Sequence, residues 1–384
     1  MPQLKRRRFG KTGLMVTELS LGAMNLRRAS RYDQVEQVVH YALDQGVNLI
    51  DTARAYNGQL PGGETVESEA VVGQVIGGRK DLKEPIVIVT KGHGYTPEKF
   101  SEHLETSLGK LGVTGRHELR IGPNPIKLVY FFHGISQERW GEMKSSGVLD
   151  QIKAVKDAGL INYIGFSSHY KDAAEIREAI ESDLFDVMEL PYNIFNQSLA
   201  PLIELGHRHE LGIINMKAFG GNEMAELFRL LPEQLGIGYR EMLQFCLANP
   251  YIATVDAGAI YPREFQADVA AALAPPPDSR NLEEYRRIGL RLAADFNLKE
   301  LCRDCRHCQE YFACPQGIDF PTVLLLLSRS RLAKIFGKDA AGFRASYREL
   351  DPRADRCLQC GQCVPLCEYN LKIPELLQSA EQEL

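Results

Sequence analysis

Between residues 16 and 274, short runs of β-branched and aliphatic residues alternate with amphipathic stretches eight times over. That repetition limits the possible folds more than any other feature of the chain. Strands that recur with a helix-length stretch between each pair run parallel and share one sheet. The runs cover residues 18–22, 47–51, 85–91, 128–133, 163–167, 187–192, 212–217 and 252–256. Ile86-Val87-Ile88-Val89 is apolar at consecutive positions, as a strand covered on both faces must be. Eight repeats in about 250 residues fit a closed (β/α)8 TIM barrel better than an open sheet. An open doubly wound fold would place a glycine-rich phosphate turn after its first strand, and Gly22-Ala23-Met24 is not one.

Local signals fill in the connections. Thr96-Pro97 reads as an N-cap followed by the first helical residue, and Ser30 with Asp33 three positions on resembles a capping box. Gly10-Lys11-Thr12-Gly13 suggests a hairpin turn ahead of the barrel. Ala274-Pro275-Pro276-Pro277-Asp278 cannot continue a helix, because proline removes a donor and clashes with the preceding turn. It divides the chain into a barrel over 1–274 and a smaller domain over 275–384. Beyond it the β-branched rhythm stops, and 281–295 reads as a helix. The longest aliphatic run, Val323 to Leu327, suits a buried helix face and is too short for a membrane span.

In barrels of this kind the reacting groups come from the C-terminal ends of the strands. Asp51 closes the second run, Lys91 the third and His133 the fourth, and Tyr56 follows Asp51 in Asp51-Thr52-Ala53-Arg54-Ala55-Tyr56. Each alone is equally a cap, turn or surface residue; what sets them apart is their order at three successive strand ends. Together they suit hydride transfer to a carbonyl, whose oxygen gains negative charge and must receive a proton as hydride reaches carbon. An ammonium beside a buried tyrosine favours phenolate and lowers its pKa, and a carboxylate keeps that ammonium charged despite desolvation. Lys91 and Asp51 are expected in those roles, with Tyr56 as general acid and His133 as hydrogen-bond donor to the carbonyl oxygen.

From Arg8 to about Ala272 the chain resembles the aldo/keto reductase family. The resemblance rests on Phe9-Gly10-Lys11-Thr12-Gly13, Asp51-Thr52-Ala53 to Tyr56, Ser68-Glu69 with Gly73, Thr90-Lys91, and His133-Gly134. It continues through Gly165-Phe166-Ser167-Ser168-His169, Pro191-Tyr192-Asn193 and Lys217 to Gly221. It implies the barrel, a catalytic set of Asp51, Tyr56, Lys91 and His133, and a nicotinamide cofactor bound extended without a Rossmann domain. It also implies that Ser167, Ser168 and Glu189 hold the carboxamide, that Tyr192 and Lys217 belong to the cofactor site, and that Gly258 and Arg263 lie near the adenosine phosphates. Arg263 suits a 2′-phosphate and so NADP(H), with NAD(H) as the alternative.

The chain departs from the family pattern at several positions. Ser168 stands where Asn is common and Glu189 where Gln is common; a carboxylate accepts from the carboxamide NH2 but cannot donate to its oxygen. Ala267-Asp268 stands in for a Glu-Asn pair, and Leu128 replaces a frequent Asp. Residues 116–127 read as a long loop able to reshape the substrate mouth. These departures leave open a barrel that only binds nucleotide.

A net charge of −5 and a pI near 6.0 give no footprint for nucleic acid. No run of 18 apolar residues and no apolar segment in the opening residues supports a span or a leader, so a cytoplasmic protein without membrane association is expected. Nine cysteines in a reducing compartment then call for metal or redox chemistry. Eight form two runs. Cys302, Cys305 and Cys308 precede Cys314 by a five-residue gap, and Cys357, Cys360 and Cys363 precede Cys367 by a three-residue gap. Three thiolates at successive two-residue gaps wrap one face of a cubane, and a distant fourth completes it. Bacterial two-cluster ferredoxins cross the fourth ligand between clusters. By that logic Cys302, Cys305 and Cys308 take Cys367, and Cys357, Cys360 and Cys363 take Cys314, in a small, mainly helical ferredoxin-like domain with two [4Fe-4S] clusters. Zinc is the alternative, although four-ligand zinc has no use for the third close thiolate of each run. Cys246 reads as a core residue.

Hydride carries two electrons and a cubane passes one, and no flavin motif is visible to convert between them. The leading expectation is therefore an NADP(H)-dependent reductase of a small-molecule aldehyde or ketone. Its clusters would fold the tail, sense redox state or serve an electron-transfer protein partner. The alternative is an electron-transfer or redox-sensing iron–sulfur protein whose barrel only binds nucleotide.

Overall fold

The eight apolar runs form eight strands: β1 (Leu19–Gly22), β2 (Leu49–Asp51), β3 (Ile86–Gly92), β4 (Asn124–Phe132), β5 (Tyr163–Ser167), β6 (Val187–Pro191), β7 (Gly212–Met216) and β8 (Thr254–Gly258). In the computed structural model they pair in parallel in the order β5-β6-β7-β8-β1-β2-β3-β4, and β4 pairs with β5, so the sheet closes on itself. All seven residues of β3 are buried, because helices cover its outer face and barrel side chains its inner one.

The structure describes residues 3–169, 173–221, 237–295, 300–302, 306, 308–309, 312–335, 337–367 and 371–384. The chain divides into two units. The first comprises Met1–Tyr192, Ser198–Ala218 and Leu243–Pro276, the second Asn193–Gln197, Phe219–Met242 and Pro277–Leu384.

Between the strands lie α1 (Tyr32–Asp44), α2 (Ser68–Gly78), α3 (Pro97–Leu111), α4 (Gln137–Ser146), α5 (Val148–Asp157), α6 (Ala173–Glu181), α7 (Ala200–Arg208), α8 (Tyr239–Leu247) and α9 (Pro262–Leu273). Thr96 caps α3 as expected, accepting from Lys99 N at 3.5 Å, with Pro97 as the first helical residue. The expected cap at Ser30 does not form. Its hydroxyl meets the Tyr261 hydroxyl at 3.0 Å, Arg31 takes the cap position of α1, and Asp33 pairs with Arg31.

The opening hairpin pairs Arg6–Arg8 with Met15–Thr17 and closes the N-terminal end of the barrel. Phe9, fully buried, packs with Val16, Leu49, Val87, Val129, Val187 and Ile214, and Gly212 leaves the room its ring occupies. Arg7 ties the hairpin down by donating to Leu247 O at 2.6 Å and Ile252 O at 2.9 Å.

Residues 116–127 do not form the long loop read from the sequence. Val113–Thr114, Arg120–Ile121 and the start of β4 make an antiparallel extension of the sheet, and Asn124 Nδ2 anchors it to Ile76 O at 2.6 Å and Arg79 O at 2.9 Å. Because the extension precedes β4, it lies at the end of the barrel opposite Asp51 and Lys91. It does not reshape a mouth at the C-terminal strand ends.

In the second unit, α10 (Ser279–Asp295), α11 (Phe320–Ile335), α12 (Ala341–Arg348) and α13 (Ile373–Glu383) carry the order, and the described residues of 277–384 contain no strand. Val323, Leu324 and Leu327 of α11 form a core with Tyr347 of α12 and Ile373, Leu377 and Ala380 of α13. At the edge of this core, Arg331 forks onto the Glu383 carboxylate at 2.6 Å.

Candidate active site

Three adjacent strands deliver three charged or polar groups to one end of the barrel. Asp51 is the last residue of β2, Lys91 the next to last of β3, and His133 follows β4; all are at most 3% exposed. Tyr56 returns over them from the loop after β2 and is 8% exposed. The Lys91 ammonium grips both oxygens of Asp51 and lies 3.5 Å from Tyr56 Oη, 3.4 Å from Thr52 O and 3.4 Å from Glu189 Oε2. The Tyr56 and His133 rings meet edge to face, with centroids 5.9 Å apart.

Burial alone would lower the Lys91 pKa, but Asp51 and Glu189, with Tyr56 and Asp256, outweigh it and raise it, so the ammonium stays charged. Tyr56 moves in the direction opposite to the sequence expectation. Lys91 does pull toward phenolate, but burial, together with Asp51, Glu189 and Asp256, raises the phenol above its ordinary value. The phenol therefore holds its proton until an acceptor gains charge beside it.

Two neighbours went unnoticed in the sequence. His93 stacks on His133 with centroids 4.4 Å apart, and Tyr95 donates its hydroxyl to the His133 carbonyl. Their only signal was position, two and four residues beyond Lys91. Asp256 was read as a strand residue, yet one of its carboxyl oxygens lies within 4.8 Å of oxygens of both Asp51 and Glu189. A charged residue inside an apolar strand was the available hint.

The residues expected around a nicotinamide share the first unit but are already partly engaged. Ser167 Oγ accepts from Gly134 N at 3.1 Å, and Ser168 Oγ donates to Ile135 O at 2.8 Å. Glu189 faces Lys91. Tyr192 stacks on Phe245 with centroids 5.3 Å apart, and Lys217 follows β7 with a left-handed φ of 60°. Gly22 and Gly258 are cross-strand partners at the ends of β1 and β8. A side chain at Gly22 would collide with Asp256, and one at Gly258 with Asn25, whose buried Oδ1 has no hydrogen-bond partner among the described residues. A bare backbone beside an unsatisfied buried acceptor suits close approach of a polar ligand. Arg263 is exposed at the start of α9, its guanidinium 5.2 Å from the Tyr261 ring.

In the second unit Cys302, Cys363 and Cys367 are buried in the core, Cys308, Cys314 and Cys357 pack against it, and Cys360 is exposed. Cys305 lies outside the described residues. Burial pushes the Cys363 thiol up to about 11, and Cys357, Cys360 and Cys314 push it further the same way. Cys246, fully buried in α8, points its thiol at Tyr192 O at 3.3 Å and is a core residue.

Residues 18–227 match the family model described as the aldo/keto reductase family. The chain is 32% identical over 97 residues to a 6-dehydroglucose reductase of Novosphingobium aromaticivorans, covering 25% of this chain and 32% of that protein. It is 25% identical over 174 residues to the uncharacterized oxidoreductase YrpG of Bacillus subtilis, covering 42% and 48%. The chain thus spans about a third to a half of the length of these curated relatives. Among solved structures, the holo form of aldo-keto reductase AKR11C1 from Bacillus halodurans is similar with a TM-score of 0.59 at 22% identity, over 74% of this chain and 96% of that one. No described helix is long and apolar enough to cross a membrane. With more than half of its residues matched and the barrel closed in the same way, the chain belongs to the aldo/keto reductase family.

Proposed function

We propose that residues 1–274 reduce an aldehyde or ketone with NADP(H), and that residues 275–384 hold two [4Fe-4S] clusters in a ferredoxin-type domain. The observation that carries the first part is the buried Lys91 ammonium, held between Asp51, Glu189 and the Tyr56 hydroxyl at the C-terminal strand ends. A reduced nicotinamide, when bound, supplies hydride to the carbonyl carbon. Ser167, Glu189, Tyr192, Lys217 and the bare backbone at Gly258 would hold it, with Arg263 free to meet a 2′-phosphate; Ser168 contributes less, its hydroxyl being spent on Ile135. Tyr56 gives its proton to the carbonyl oxygen as charge develops there, and Lys91 stabilises the phenolate left behind. Asp51 keeps Lys91 charged and in place. His133 donates to the same oxygen, its backbone carbonyl held by Tyr95.

The cluster reading is supported by Cys302, Cys308, Cys314, Cys357, Cys363 and Cys367 all lying in or against one small core, and by the spacing of the two runs, which we read as crossed: Cys357, Cys360 and Cys363 with Cys314. Cys302, Cys308 and Cys367, with Cys305, make up the other. Gln359 Nε2 lies 3.7 Å from Cys357 Sγ, a weak hydrogen bond of the kind that tunes cluster potential. Such a protein suits the reducing cytoplasm. An electron-transfer protein is the proposed partner of the exposed Cys360 side.

Tyr56→Phe tests the barrel. Reduction of reactive aldehydes with NADPH should fall by about 100-fold or more while nucleotide binding persists; unchanged turnover sinks the assignment. If the wild type has no turnover either, the nucleotide-binding carrier reading takes its place. Anaerobic purification should give about eight iron and eight sulfide per chain with a reduced-state EPR signal, and zinc in their place overturns the second part.

A further inference from the structure

We propose that Asp256 is a positioning residue for Tyr56, its charge setting, through the Lys91 ammonium, the balance between phenol and phenolate. This rests on the reading of Tyr56 as the proton donor. Asp51 on β2, Glu189 on β6 and Asp256 on β8 bring one carboxyl oxygen each to within 4.8 Å of one another, and Lys91 on β3 pairs with the first two. The ammonium makes the group an ion cluster. Three carboxylates against one ammonium leave two negative charges uncompensated, which so confined a site relieves by keeping one proton.

Burial raises Asp51 as well as Asp256, against the pull of Lys91, and geometry gives the proton to the carboxyl with the poorest partners. Asp51 has both oxygens on Lys91, and Glu189 has Lys91 at 3.4 Å. Asp256 makes no ion pair among the described residues and accepts only from Ser20 Oγ, at 3.3 Å. Burial, with Glu189 adding, pushes Asp256 up to about 7, against the smaller opposing pulls of Lys91 and Ser20. Besides these groups it feels Asp51 and Tyr56, while Asn215 on the neighbouring β7 spends its amide on backbone carbonyls. Part of Asp256 remains accessible, so its proton can exchange with water.

Above neutrality Asp256 is charged and opposes loss of the Tyr56 proton, which keeps Tyr56 a donor and favours reduction over alcohol oxidation. Asp256→Asn removes that charge. The alkaline limb of reductase activity, and the pH at which alcohol oxidation sets in, should both move down by about one unit. Oxidation at a fixed pH below the limb should rise about tenfold, since each unit is a factor of ten in phenolate. Should that variant fail to fold, Asp256→Ser removes the charge with less bulk.

A readout independent of turnover is the infrared C=O stretch of a protonated carboxyl. In the difference between wild type and Asp256→Asn one such band should be lost as pH rises through about 7, the Asp268 carboxyl, which also titrates near 7, being common to both and cancelling. Tyr56→Phe separates the two failures. Full activity in that variant overturns Tyr56 and the role of Asp256 with it. Lost activity there, combined with an unmoved limb in Asp256→Asn or no titrating carboxyl band in the difference between wild type and that variant, overturns Asp256 alone.

Discussion

Lys91 in the first unit and Cys363 in the second are both buried groups crowded by chemically similar neighbours, but only one arrives with its counter-charge. Lys91 meets Asp51 and Glu189, and their opposite sign keeps it ionised. Cys363 meets Cys357, Cys360 and Cys314, and each would repel its thiolate. The barrel site supplies the lysine's counter-charge from the chain itself, whereas the Cys363 thiol stays protonated. Burial disfavours the charged form in both places; Lys91 is compensated by its acids, and Cys363 keeps its proton instead.

The largest expected effect breaks the self-sufficient side of that comparison. Lys91→Met leaves the acids without their ammonium, and NADPH-dependent aldehyde reduction should drop by about 1,000-fold or more in a chain that still gives the circular dichroism of a barrel. The other side is probed by removing metal with a chelator under anaerobic conditions. The helical signal of α11 to α13 should fall while aldehyde reduction stays within about twofold, because Cys302, Cys363 and Cys367 belong to the core of those helices. Equal loss of both would show that the two sites are not separately supported.

A smaller effect comes from Asp268, which burial, with Glu264 adding, pushes up to about 7. An acid whose folded pKa lies above its unfolded value stabilises most when both states are protonated, and that contribution is lost as pH rises through about 7. Urea titrations should therefore show the wild type losing about 1–3 kcal/mol between about pH 5 and about pH 8, with Asp268→Asn losing less. Least of all, Asn124→Ala forfeits two hydrogen bonds to α2 and should cost about 1–2 kcal/mol without altering kcat/KM, because it acts at the far end of the barrel.

Much of the barrel was legible because strands covered on both faces need unbroken apolar runs, and Ile86 to Val89 or Phe131-Phe132 admit little else. The extension through Arg120–Ile121 was not, since two-residue strands among Gly115, Gly122 and Pro123 carry no periodicity to separate them from a loop. Within the site, Asp51, Tyr56, Lys91 and His133 could be found by their places at strand ends. The direction of the Tyr56 shift could not. It depends first on how fully the closed barrel buries the phenol, and then on Asp51, Glu189 and Asp256, the last two lying about 100 and 165 residues from Lys91 and meeting it only when β6 and β8 take their places in the closed sheet. Residue type and spacing identify the lysine's nearest acid but cannot count how many others the closure brings.

The hairpin that seats Phe9 against Gly212 and Arg7 against Leu247 and Ile252 also says something about how this chain reaches its native state. Those contacts span more than 200 residues, so a growing chain presents a Phe9 without its seat at Gly212 and an Arg7 held only by the nearby Glu18 until the seventh strand and the residues before the eighth have emerged. The seal on the barrel is then a late event in assembly. A chaperone that holds apolar segments has its longest opportunity at the very residues that afterwards become the floor of the barrel.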